Sequence, residues 1–314
     1  MNYVTAKLID SEIKGVKKSF DLAFKEDFDA MAKDPRICEM YNTSEFTEIY
    51  TSTESMSGFA NVGARETPPV MNLGDGYSKT LSTQRFAGAI EITSAERRKM
   101  KDNTTMVKEF LTRERNVALR LARREIVKSI YSIINDAFTG TSFAAPDTVA
   151  LIGTHTYNST GATFNNKATT LSAGSGAVAK IDLYGANFTD AEGEHSPINF
   201  DVFIVKMASD NANALKQLFA KDVVPTTVGN VNIYAGERTI IETPFISNAD
   251  HWFARSTTAL IDSQNSVKLG MLENPTFQEK IIEKNGVINY PIEGWWKYGI
   301  YQLPIDWVGS DSTT

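Results

Sequence analysis

The stretch from residue 45 to residue 93 cannot fold into a compact unit by itself. Its two ends, Phe46 to Ser52 and Lys79 to Thr93, have strand character, and Phe86, Gly88, Ile90 and Ile92 alternate as one face of a strand does. Between the ends lie Gly58, Gly63, Pro68, Pro69 and the Gly74-Asp75-Gly76 turn, residue types that reverse a chain and interrupt regular structure. The pattern predicts a long two-stranded projection. An isolated hairpin is marginal in water, yet this one carries Phe59, Val62, Val70, Met71 and Leu73 among its glycines and serines. Something has to cover those side chains. A partner subunit is the natural cover; the alternative is a disordered surface loop.

Two helical patterns flank the projection. In residues 5 to 33, Leu8, Ile9, Ile13, Val16, Phe20 and Phe24 recur at steps of three and four, and Pro35 ends the pattern. Two readings stay open for it: a helix packed on its own core, or a terminal arm lying on a neighbouring subunit. In residues 103 to 138, Met106, Phe110, Val117, Leu121, Ile126, Ile130, Ile133 and Ala137 follow helical spacing, with Asp102 or Asn103 as N-cap and Gly140 just past the end. At 1.5 Å per residue this helix is about 50 Å long, which suits the backbone of a flat, extended subunit.

The middle of the chain reads as α/β. Phe200 to Met207 is a buried-type strand, Ala208 to Lys221 a helix, and Val231 to Tyr234, Arg238 to Glu242 and Trp252 to Ser256 further strands. Towards the end, Thr276 to Lys284 and Val287 to Ile292 flank Asn285-Gly286, a strong hairpin signal. An aromatic strand, Trp296 to Trp307, closes the chain. Because the α/β region is central, any platform beside it has to be built from both ends of the sequence.

Motifs for chemistry are missing. The 314 residues are 42% hydrophobic and 22% charged, enough apolar material for a core. A net charge of −6 argues against a wholly nucleic-acid-binding surface while allowing a local basic face. The single cysteine, Cys38, has no intramolecular partner and fits a reducing cytosol. The N-terminal sequence lacks a signal-peptide layout, and no stretch has the length and apolarity of a membrane span, so no membrane partner is expected. The three histidines, His155, His195 and His251, lack metal-ligand spacing, and neither metal nor cofactor is expected. No hydrolase elbow, phosphate-binding loop or dinucleotide fingerprint is present. His155 reads as a hydrogen-bonded strand or turn residue more readily than as a base. Cys38 reads as a packing residue, and Asp190, Glu192 and Glu194 as a solvated acidic loop.

Basic residues concentrate on the long helix and just before it: Arg97, Arg98 and Lys99, then Arg113, Arg115, Arg120, Arg123, Arg124 and Lys128, offset in part by Glu109, Glu114 and Glu125. A solvated face with internal ion pairs explains them. So do salt bridges to neighbouring subunits, or sequence-independent contact with DNA phosphates.

Four stretches in this order resemble a known family. They are SEFTEIYTSTESMSGFANVGARETPPVMNLGDGYSKTLSTQRFAGAIEIT, the capped helix ending INDAFTG, LIGTHTYNST, and GWWKYGIYQLPIDWVGSD. Together they are similar to the major capsid (major head) proteins of tailed bacteriophages with the Hong Kong ninety-seven (Johnson) fold, especially the branch with the Mu-type head subunit. The sequence departs from that pattern where Thr156 follows His155, and where Gly174, Gly176 and Gly185 weaken an expected helix.

The resemblance implies an α+β phage capsid fold. It has an N-terminal arm (1–44), an extended two-stranded loop (45–93), a peripheral domain with the spine helix (94–147) completed by residues 263–314, and an α/β axial domain (148–262). It implies a subunit that self-assembles as hexamers and pentamers into an icosahedral virion shell around double-stranded DNA, after a stage in the host cytoplasm. Portal, scaffolding and decoration proteins would be its other partners. Phe59, Arg65, Tyr77 and Lys79 become candidates for contact between subunits, and Arg113, Arg120, Arg123, Arg124 and Lys128 for the basic helix face. Lys79 lies in the loop, but an isopeptide cross-link of the kind some relatives form would also need an Asn and an acidic residue from other chains, so none is expected. No fused scaffold is expected before the spine helix. Two other functions compete: an encapsulin-type nanocompartment shell with protein cargo, and an α/β enzyme with a polar pocket at His155 or His251.

Overall fold

The computed structural model describes residues 3–32, 36–57, 72–100, 103–171, 176–219, 238–257, 265–282 and 287–311. In chain order, α1 (Tyr3–Ala32) precedes β1 (Glu39–Asn42), the hairpin strands β2 (Thr47–Ser57) and β3 (Asn72–Ser82), and β4 (Gln84–Ile92). Then come α2 (Ser94–Met100), α3 (Thr104–Asn135), β5 (Thr154–Thr156), β6 (Thr163–Asn165), α4 (Gly176–Ala186), β7 (Val202–Lys206) and α5 (Asp210–Phe219). The last strands are β8 (Thr239–Thr243), β9 (Trp252–Arg255), β10 (Val267–Phe277), β11 (Ile281–Ile282), β12 (Ile288–Ile300) and β13 (Trp307–Ser310). The class is α+β.

The long helix forms where its periodicity predicts. Of the two capping candidates, Asn103 is the N-cap: its side-chain oxygen accepts from the Met106 N–H at 3.1 Å. At the other end Asp136 takes over from the helix. Its carboxylate accepts the backbone N–H groups of Thr141, Ser142 and Phe143 at 3.1, 2.7 and 2.7 Å. Burial pushes that carboxyl up, and the Thr139 hydroxyl and those three N–H groups together pull it below its ordinary range. Gly140 turns the chain at φ +61°, and a Cβ there would stand 2.9 Å from the Ala150 Cα, so a side chain is excluded twice over.

Two sheets organise the rest. The first runs β1-β10-β12-β11, with β4 on the other side of β12. β1 lies parallel to β10, and β4 antiparallel to β12. Strands from both ends of the chain thus meet in one sheet. α1 and α3 pack on each other and against it. Phe20, Phe24 and Phe28 of α1 and Ile126, Ile130, Ile133 and Ile134 of α3 are buried with Ile92, Leu269 and Trp296 of the sheet. Of the two readings of the first helix, the structure has it packed on its own core.

The second sheet runs β13-β9-β7-β8. Its β7 sends Val202 and Ile204 into the first core, and Phe203 and Val205 into a second core with α4, α5, Leu303 and Val308. A strand buried on both faces reads as a continuous apolar run, as FDVFIVKM does. α4 forms despite its glycines. At Gly185 a Cβ would stand 2.1 Å from the Ile198 carbonyl oxygen, so the close approach of chain and helix selects glycine there.

The closing strand differs from expectation. Trp296 belongs to β12, which continues to Ile300; residues 301–306 then turn, and β13 joins the second sheet on β9. Pro304 cannot extend a ladder, and Asp306 holds the turn by accepting from Arg255 and the Ser266 hydroxyl at 3.3 and 2.5 Å. The two apolar runs around Asn285-Gly286 do pair antiparallel, Ile282 opposite Ile288, while the turn itself and the strand expected at Val231 to Tyr234 lie outside the described residues.

Candidate functional site

The hairpin β2–β3 stands beside both cores, and its root is held by one carboxylate. Alternation along β2 points Glu48, Tyr50 and Ser52 to the body and leaves Ile49 69% exposed. Glu48 accepts from the Tyr41 and Tyr50 hydroxyls at 2.5 and 2.7 Å and from the Thr43 hydroxyl. It also pairs at 3.2 Å with Lys297 Nζ of β12, whose side chain is fully buried and donates to the Glu45 carbonyl at 2.7 Å. Desolvation pushes the Glu48 carboxyl up, but these hydrogen bonds outweigh it and bring its pKa to about 2. Tyr41 reaches on to Tyr301 at 3.0 Å, and Lys268 lies over the Tyr50 ring. No local pattern announces this network; the only sequence signal is that Glu48 and Tyr50 share a strand face.

Further along, Glu54 accepts the backbone N–H groups of Ser159 and Tyr77 at 3.0 and 3.4 Å, and the Asn158 amide donates to the Asp75 carbonyl at 3.1 Å. Of the proposed contact residues, Tyr77 packs against the second core, and Lys79 donates to the Ala144 carbonyl at 3.0 Å. Burial lowers the Lys79 pKa, with Asp147 opposing it. Phe59 and Arg65 lie outside the described residues. One face of the described hairpin is therefore covered by its own chain.

The basic residues of α3 divide into two sets. Arg115 donates to the Ser19 hydroxyl at 3.4 Å, and Arg123 pairs with Asp27, so both fasten α3 to α1. Arg113, Arg120, Arg124 and Lys128 fall within roughly 80° of one helix face and are exposed. Arg113 and Lys128 pair with Glu114 and Glu125 at 3.2 and 3.3 Å; exposed pairs of this kind contribute about 0–1 kcal/mol. Arg123 is thus set apart from the other four candidates by its partner on α1.

Beside this stripe a groove of about 560 Å³ opens between α3 and β4. Phe86 and Trp296 form its floor, stacked with centroids 3.7 Å apart, and Leu121 is 54% exposed on its wall.

The histidines occupy other surroundings. His155 is fully buried, its Nδ1 2.9 Å from Asp147 and its ring against Phe164 at 5.1 Å. Asp147 also accepts the N–H groups of Val149 and Thr156 at 3.2 and 3.3 Å. Burial raises its carboxyl, and His155 with these N–H groups lowers it more. The ring borders none of the three mapped cavities. His251 lies against Phe138 at 4.7 Å, and burial lowers its pKa. Cys38 is buried, and desolvation pushes its thiol up to about 12. Among the described residues no group of three or more His, Cys, Asp or Glu is placed to hold a metal, and no helix is long and apolar enough to cross a membrane.

No family model matches the chain, and no curated protein matches it in sequence. Solved structures do match. A chain of Mycobacterium phage Patience aligns over 96% of this chain and 88% of its own, with 12% identity and a TM-score of 0.50. The acidic stable capsid structure of Helicobacter pylori bacteriophage KHP30 aligns over 87% of each chain, with 10% identity and a TM-score of 0.45. The head structure of Helicobacter pylori bacteriophage KHP40 gives 87% of each chain, 10% identity and 0.48. At 12% identity, the likeness to the Patience chain is one of fold alone.

Proposed function

We propose that this chain is the major capsid protein of a tailed bacteriophage, a structural subunit of the Johnson-fold class. Copies of it form hexamers and pentamers of an icosahedral head shell around double-stranded DNA. The observation that carries the reading is the hairpin: its root is fixed by a buried charge network, while the segment it leads into, residues 58–71, carries Phe59, Val62, Val70 and Met71. A firm base under an apolar, turn-rich tip suits a limb whose surface is completed by a neighbour, so that stability and assembly are linked. The fold likeness to the Patience chain supports it along nearly the whole length.

In this reading Phe59, Arg65, Tyr77 and Lys79 belong to the region of contact between subunits, and the platform is residues 94–147 with 263–314 beside an axial domain of 148–262. The exposed stripe Arg113, Arg120, Arg124 and Lys128 meets either neighbouring subunits or DNA phosphates. The protein passes from host cytoplasm to virion, and portal, scaffolding and decoration proteins are its further partners. Negative-stain electron microscopy of the purified chain tests the proposal. Closed shells of uniform size are expected; a preparation holding only monomers or small oligomers under all assembly conditions, scaffold included, overturns it.

A further inference from the structure

β4 presents an open sheet edge. Nine consecutive residues, Gln84 to Ile92, pair with β12 without a register shift, and among the described residues no strand lies on the other side. Ala87, Gly88 and Ala89 are exposed there, and the groove against α3 runs alongside. A regular edge of this length is a template for another strand, and proteins ordinarily blunt such edges with a bulge, a proline or an inward charge. The described β4 has no bulge, proline or inward charge, and its two exposed charges, Arg85 and Glu91, stand near its ends and leave Phe86 to Ile90 uncharged.

The order of residues suits one partner. Read outward from Gly88, the strand places Ala87 and Ala89, then Phe86 and Ile90, then Arg85 and Glu91 at equal distances. Two copies running antiparallel about Gly88 would set each small residue opposite a small one, Phe86 opposite Ile90, and Arg85 opposite Glu91. Residues directly opposite in an antiparallel pair share a face, so Phe86 and Ile90 would meet on the groove side, while the charges meet on the other. Arg85 already pairs with Glu293 at 2.6 Å and remains exposed; a guanidinium has five N–H donors, enough for a second carboxylate.

We infer that β4 pairs with β4 of a second copy across a two-fold axis through Gly88. The contact is isologous and lies in the sheet, separate from the hairpin tip. It deepens the shell reading, because it supplies a two-fold junction between subunits, but it needs only a second copy.

Cysteine cross-linking of the full-length chain tests it. A Cβ built at Gly88 has no atom within 4 Å, so Gly88→Cys is accommodated, and the native Cys38 is buried. Opposite Cα atoms in an antiparallel pair are about 4.5–5.5 Å apart, within the roughly 4.4–6.8 Å that a disulfide spans. Under mild oxidation most Gly88→Cys chains should run as reducible dimers on a denaturing gel. Ala87→Cys alone should stay monomeric, since a two-residue offset of about 6.8 Å along the strand puts like positions out of reach. Ala87→Cys mixed with Ala89→Cys should cross-link. A native Gly88→Cys protein that takes up maleimide fully and does not dimerise overturns the inference, as does equal dimerisation of Ala87→Cys alone. Shells without Gly88→Cys dimers would refute this contact and leave the shell standing; dimers in a preparation without shells would do the reverse.

Discussion

Replacing Glu48 with glutamine removes the charge at the root of the hairpin while keeping its shape. The drop in the Glu48 pKa from 4.5 to about 2, at about 1.4 kcal/mol per pH unit, corresponds to about 3 kcal/mol of stabilisation by the charged form. The tyrosine hydroxyls can still donate to the amide oxygen, so the net cost at pH 7 should be about 2–3 kcal/mol. The sign of the pH dependence follows from the depressed pKa. The stabilisation is complete above the unfolded-state value near 4.5 and is lost as pH falls through the folded value of about 2. The protonated Glu48 side chain and the glutamine that replaces it are nearly isosteric neutral groups, so wild type and Glu48→Gln should differ at pH 7 and converge by pH 2. Urea denaturation of unassembled protein at a series of pH values measures the gap, and hydrogen exchange of the β2 and β3 amides locates it. Equal stability at pH 7, or a gap that persists unchanged at pH 2, would refute the reasoning.

Two further outcomes concern the helix and its sheet. Trp296 is 1% exposed, stacks on Phe86 and donates from Nε1 to the Ser129 hydroxyl at 3.1 Å; Trp296→Ala should cost about 3–5 kcal/mol, read as a lower denaturation midpoint. Arg120→Gln with Arg124→Gln should leave unfolding within about 0.5 kcal/mol of wild type, because both side chains are exposed and no ion pair holds either among the described residues. Intact particles with DNA lost at lower salt would assign that face to phosphates, and failure of assembly would assign it to subunit contacts.

Much of the secondary structure was readable because it depends on neighbours in sequence. The apolar steps of α1 and α3 repeat at the helical period, Asn103 sits three residues before the N–H it caps, and the apolar run of β7 marks a strand with two buried faces. The candidate site was readable only in part. Helical phase separates Arg113, Arg120, Arg124 and Lys128 from Arg115 and Arg123, yet which arc faces α1 depends on Ser19 and Asp27, about a hundred residues away in the chain. Nothing next to Glu48 in the chain marks it out, because its buried counter-charge, Lys297, lies near the far end of the sequence.

What the local sequence settles is the helical course of α1 and α3, the cap at the start of α3 and the buried run of β7. Only the folded chain settles that β1 lies parallel to β10, that the chain leaves β12 at Ile300 to put β13 in the second sheet, and that β4 has no further strand beside it among the described residues. Capping and periodicity act over a few residues and are written locally. Sheet order and charge pairing depend on which distant surfaces are buried together, a choice made by the packing of the whole chain.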